Sequence, residues 1–127
     1  MKETVVSFEI AKKLQEKGYD WQTFDWYSPF GDFSVGMLPR TLQGCPMRRE
    51  CYAPTIGLAL KWLREVKNIY VDISLRYDGW DSLILTNIST DDIGEYVYEC
   101  VDRGEFPCPT YEQAAMEGIA YCLDHII

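Results

Sequence analysis

Hydrophobic positions recur along this chain at two spacings, and the switches between them mark its elements. Residues 8–17 put Ile10, Ala11 and Leu14 on one side and Lys12, Lys13 and Lys17 elsewhere, the spacing of a helix with one buried face. Ser7 offers an N-cap oxygen, Glu9 sits at the positive end of the helix dipole, and Gly18 stops the run. The stretches 21–27 (WQTFDWY) and 33–38 (FSVGML) predict two strands, joined by the turn chemistry of Pro29 and Gly31. Residues 39–53 show neither period and read as an irregular loop, long for a compact domain.

The second half is more regular. Pro54 and Thr55 fit a helix start, and Ile56, Ala59, Leu60, Leu63 and Val66 then form one stripe, widened by Leu58 and Trp62. Asn68 suits a left-handed stop. In 69–77, Ile69, Val71, Ile73, Leu75 and Tyr77 alternate with Tyr70, Asp72, Ser74 and Arg76, which predicts a strand with one buried face. Asp78-Gly79 is a hairpin signal, 80–88 returns as a strand, 89–94 turns, and 95–101 is a further strand. Two prolines make 102–109 a loop. The last helix spans 111–126, with Thr110 and Gln113 placed as a capping box. Tyr111, Ala115, Ile119, Cys122 and Ile126 make one of its stripes and Met116, Ala120, Leu123 and Ile127 the next, so more than half its girth is expected to be buried.

The resulting order is α-β-β-α-β-β-β-α. Tight turns between strands imply antiparallel pairing, hence an α+β fold whose mostly antiparallel sheet carries its helices on one face. With 127 residues and 47% hydrophobic content, residues 1–127 are expected to form a single packed domain. No run approaches the roughly 20 apolar residues of a membrane span, and Met1-Lys2-Glu3 leads into no secretory signal, so a soluble cytoplasmic protein is expected. The five cysteines, an odd number, fit reduced thiols.

Charge changes the picture more than composition does. Residues 1–77 hold nine acids and eleven bases, a net +2, while residues 78–127 hold eleven acids and one base, a net −10. That asymmetry disfavours direct nucleic-acid binding and favours a protein partner with a basic surface, or serves solubility. The element order of 54–127 matches that of a double-stranded RNA-binding domain. Such a domain needs lysines at its final helix, where this chain has Glu112 and Glu117.

Candidate chemistry is sparse. The stretch GCPMRREC (44–51) brings Cys45, Arg48, Arg49 and Cys51 together as a possible anion-holding or reactive loop. The position six residues after Cys45, where a phosphatase-like loop needs arginine, is Cys51, and the cysteine spacings are too wide for a zinc knuckle. No C-x-x-C pair, glycine-rich phosphate loop, nucleophile elbow or calcium loop is present, and His125 is the only histidine. No catalytic residue, metal or cofactor is therefore expected. Four tryptophans and nine tyrosines exceed the needs of one small core. Tyr70 falls on the polar side of its strand, and Tyr96 and Tyr98 share a side of theirs, so these three are candidates for a protein-binding surface.

Two stretches, CYAPTIGLALKWLREVKNIYVDI (51–73) and PTYEQAAMEGIAYCLDHII (109–127), resemble short proteins of Bacteroides-type genomes and their mobile elements or prophages. In those proteins a similar helix leads into a strand and a similar helix closes the chain. That group has no assigned activity, so the resemblance implies no catalytic residue. The closing helix is also similar to that of HicB-type antitoxins. Together these readings lead to a non-enzymatic acidic interaction module, an inhibitor or antitoxin-like or mobile-element accessory protein, that meets a basic protein or its own copy. The alternative is a small-ligand or anion-binding protein, or an enzyme, built on the Cys45–Cys51 loop.

Overall fold

The structure, a computed structural model, describes residues 4–21, 23, 25–28, 31, 33–35, 51–101 and 107–127. The chain is α+β and divides into two compact units, Met1–Thr55 and Ile56–Ile127. Each unit has its own three-stranded antiparallel sheet, so the expected strands are shared between two sheets rather than gathered into one. No helix among the described residues is long and apolar enough to cross a membrane.

In the first unit, α1 (Phe8–Glu16) begins where the sequence places it. Ser7 Oγ accepts a hydrogen bond from the Ile10 amide at 3.3 Å, and Ile10, Ala11 and Leu14 are buried. Gly18, with φ +100, reverses the chain, and the Tyr19 amide then bonds the Leu14 carbonyl at 2.9 Å. Strands β1 (Asp25–Tyr27), β2 (Phe33–Val35) and β3 (Cys51–Tyr52) pair in the order β2-β1-β3.

Two expectations are corrected in this unit. The first strand is Asp25–Tyr27, shorter than 21–27; just before it the Thr23 hydroxyl donates to the Asp25 carbonyl at 2.5 Å. The described end of the expected loop 39–53 is a strand: Tyr27 pairs with Cys51, Trp26 with Tyr52, and the Ala53 amide bonds the Asp25 carbonyl at 3.0 Å. Buried Trp26 and Tyr27 provide the core for this pairing, and the Tyr27 hydroxyl donates to the Val6 carbonyl at 2.6 Å.

The second unit reads α2 (Ile56–Lys67), β4 (Tyr70–Arg76), β5 (Gly79–Thr90), β6 (Tyr96–Val101) and α3 (Tyr111–Tyr121). Helix α3 runs on into a wider π-turn over Cys122–Ile126, in which the Ile127 amide reaches the Cys122 carbonyl at 3.0 Å. Asn68, at φ +56, ends α2 as expected, and the Ile69 amide closes back on the Leu63 carbonyl at 2.9 Å. Helix α3 packs on β4 and β5, and α2 packs on α3 and β4. The core between them holds Trp62, Leu63, Val71, Ile84, Ala115, Ile119 and Leu123. Helix and sheet approach closely at Gly118, where a Cβ would stand 2.8 Å from Val71 Cγ1 and 3.0 Å from Ser82 Oγ.

The helices cover less of the sheet than the alternation of 69–77 implies. Val71 is buried, but Leu75 is 66% exposed and Tyr77 fully so; on α2, Val66 is also exposed. Within the expected loop 102–109, Cys108 makes an isolated bridge to Trp80, with amide–carbonyl bonds of 2.7 and 2.8 Å in both directions. Gly79 is required beneath it, since a Cβ there would meet the Cys108 carbonyl oxygen at 2.8 Å.

Candidate protein-docking surface

The sheet of the second unit has order β4-β5-β6, and its register decides which side chains share a face. Val71 pairs with Ile84 and Ile84 with Val101; Tyr70 pairs with Leu85 and Leu85 with Cys100. Paired residues point the same way and neighbours along a strand point oppositely. The Val71–Ile84 side lies under α3. The other side therefore carries Tyr70, Leu83, Leu85 and Cys100, continued along β6 by Tyr98 and Tyr96. Tyr70 is 38% exposed, Leu83 43%, Tyr98 51% and Tyr96 75%. The helix-free face is thus an exposed apolar and aromatic surface three strands wide, about 10 Å from β4 to β6.

This face unites Tyr70, Tyr96 and Tyr98, the three aromatic candidates of the sequence. It also contains Leu83 and Leu85, which periodicity missed. In the run Leu83-Ile84-Leu85 every position is apolar, so period alone does not assign the outward side; pairing of Asp72 with Leu83 does. A bulge shapes the far end of the face. Between the pairs Thr86–Glu99 and Ser89–Val97, two residues of β5, Asn87 and Ile88, stand opposite Tyr98 alone. Asn87 takes the left-handed φ of +53 that such a bulge needs, and its Nδ2 donates to Glu99 Oε2 at 2.9 Å.

Acids cluster at one end of the aromatic face and on the reverse side of β6, where Glu99, paired with Thr86, points away from Tyr96 and Tyr98. Asp91, Asp92, Glu95 and Glu99 are exposed around the β5–β6 turn and along β6. Asp91 Oδ1 accepts from the Ile93 amide at 3.0 Å and the Glu95 amide at 2.9 Å, which holds the turn. At the other end of the face, Arg76 Nε lies 3.7 Å from the Asp81 carboxylate. From residue 77 to residue 102 the sequence has no lysine or arginine.

No protein-family model, curated protein or solved structure matches this chain. The chemistry of the surface must therefore be read from its own residues. Cys45, Arg48 and Arg49 lie outside the described residues. Cys51 is buried on β3 at 4% exposure, among the core side chains of the first unit. Cys108 is buried and its Sγ donates to Glu117 Oε2 at 3.1 Å, Cys122 is buried, and Cys100 is exposed on the aromatic face. Among the described residues, no three His, Cys, Asp or Glu side chains stand close enough to hold a metal ion. The His125 and Tyr121 rings are in tilted contact, with centroids 4.7 Å apart and 43° between their planes.

One shallow cleft of about 280 Å³ is lined by Lys67, Asn68, Ile69, Thr86, Asn87, Ile126 and Ile127. It falls just below the roughly 300–1,000 Å³ typical of ligand pockets. The aromatic face with its acidic border is suited instead to recognising a macromolecular surface, with rings for apolar contact and carboxylates for charged contact.

Proposed function

We propose that this chain is a non-enzymatic interaction module that binds a protein with a basic surface through the helix-free face of its second sheet. One observation carries the reading: Tyr70, Tyr96 and Tyr98 are exposed on one face together with Leu83, and all of these except Tyr70 lie in a stretch rich in acids and free of bases from 77 to 102. Tyrosine is enriched at protein interfaces because a large apolar ring carries a polar tip. The border of carboxylates steers a positively charged partner and repels phosphate backbones. An inhibitor, an antitoxin-like factor or an accessory protein of a mobile element would work through such a surface.

The test is photo-crosslinking in a lysate of the host cell, with a benzophenone side chain placed singly at positions 70, 96 and 98 and, for comparison, at exposed position 77. The expected result is one common, basic protein captured from all three positions and not from 77. Its capture should fall when the other two tyrosines are changed to serine. Capture that is equal at 77, or unchanged by the serine substitutions, overturns the reading.

A further inference from the structure

We infer that β6 is a docking edge, to which an extended basic segment of another protein adds as a fourth strand. The inference rests on the proposed docking surface and gives its partner a conformation. Among the described residues β6 pairs only with β5, so on its outer side the amide and carbonyl groups of alternate residues in Tyr96–Val101 face an incoming chain. Five of its six residues are exposed, including Tyr96 at 75%, Val97 at 49% and Tyr98 at 51%.

Natural sheets blunt such edges with lysine, proline, bulges or charge. Elsewhere the sheet uses these devices. Pro107 and Pro109 flank the bridge that Cys108 makes beside Trp80, and β4 on the opposite edge carries Asp72 and Arg76. Strand β6 reads Tyr-Val-Tyr-Glu-Cys-Val, with no lysine or proline and a single charge, Glu99, and the extra residue of the bulge lies in β5, leaving β6 regular.

Charge selects the occupant. A second copy of the chain would bring an equally acidic stretch, with no base in 77–102, alongside Asp91, Asp92, Glu95 and Glu99, and the like charges would repel. A basic strand meets the opposite situation. Its side chains on the Tyr96–Tyr98 face contact aromatic rings, and those on the other face lie beside Glu99 and Val97. A segment alternating apolar and basic residues satisfies both faces at once.

The experiment uses the full chain and labelled synthetic peptides, read by fluorescence anisotropy. The parent peptide is (Arg-Val)₄; a second has the same composition in two blocks, Arg₄Val₄. Two further peptides carry N-methyl groups on every arginine amide or on every valine amide. In an added strand only alternate amides face β6, so one methylated isomer is expected to bind like the parent and the other at least about tenfold more weakly. The block peptide should bind as weakly as the poorer isomer.

Equal binding by both isomers, equal binding by the block peptide, or no binding of the parent at about 1 mM overturns the strand addition. The variant with Tyr70, Tyr96 and Tyr98 all changed to serine separates the two claims. If it loses the peptides while methylation has no effect, the aromatic face stands and the strand addition falls. If methylation matters and the serines do not, the strand addition stands and the aromatic face falls.

Discussion

At the scale of single residues, packing and ionisation give opposite kinds of test. Gly118 lies where α3 presses on the sheet, and an alanine Cβ there would come within 2.8 Å of Val71 Cγ1. Gly118→Ala should therefore lose about 1–2 kcal/mol of stability, because overpacking outweighs the better helix propensity. Gly57, exposed in the first turn of α2, should respond with the other sign, gaining about 0.5–1 kcal/mol as alanine. Denaturant midpoints measure both, and a gain at Gly118 would mean that helix and sheet are less closely packed than described. In the first unit, burial, with Asp20 and then Tyr52 adding to it, pushes the Tyr19 phenol up to about 12. Burial also raises Tyr27, with Cys51 adding. Below the ordinary tyrosine value of about 10 both folded and unfolded chains keep these protons. From there to about 12 the unfolded chain releases the Tyr19 proton while the folded chain holds it, so stability falls as pH rises. The unfolding midpoint should drop across that window, and Tyr19→Phe should flatten the drop; a midpoint independent of pH would place the Tyr19 hydroxyl in water.

At the scale of elements, local signals were legible and cross-strand ones were not. Ser7, Gly18, Asn68 and Thr110 each sit at a helix boundary that the sequence marks, and Thr110 Oγ1 accepts from the Gln113 amide at 3.1 Å. Each acts within a few residues of itself, so sequence spacing suffices to find it. The division into two sheets, the pairing of Cys51–Tyr52 with β1 and the bulge at Asn87–Ile88 depend on partners distant along the chain, which no local period encodes. The docking surface divides the same way. Tyr70, Tyr96 and Tyr98 each read as outward on their own strands, but their shared face follows from the register Tyr70–Leu85–Cys100. The two left-handed asparagines test the element scale directly. Asn68 donates to the Ile88 carbonyl at 3.0 Å and Asn87 to Glu99 at 2.9 Å, so backbone and side chain both contribute. Glycine at either site loses the side-chain bond but relieves the left-handed backbone, so the two effects should cancel to within about 1 kcal/mol, whereas valine, which loses the bond and strains the backbone, should cost about 1–2 kcal/mol more than glycine. Thermal unfolding distinguishes these outcomes, and valine matching glycine would remove the left-handed conformation from the explanation.

At the scale of the whole molecule, the net charge falls on one of the two units, and within it on the segment after residue 77. Residues 1–55 hold seven acids and seven bases, while residues 56–127 hold thirteen acids and five bases, so the entire net charge of −8 belongs to the second unit. An excess of one sign repels itself in the compact state and attracts an opposite partner, and salt screens both effects. The two consequences have opposite signs. Between about 0.05 and 0.5 M salt the Debye length falls from roughly 13 to 4 Å, so the melting temperature of the second unit should rise by a few degrees. Over the same range the complex with a basic partner should weaken by about tenfold or more, through a slower association rate. Asp92→Asn with Glu95→Gln should mimic salt on both counts, because both side chains are exposed beside β6. Calorimetry and stopped-flow binding measure the pair of signs together. If salt raised the melting temperature and left association untouched, the acids would serve solubility alone and recognition would rest on the tyrosine face. If salt lowered the melting temperature, the carboxylates would be held by bases within the fold, and an electrostatic partner would have little free charge to meet.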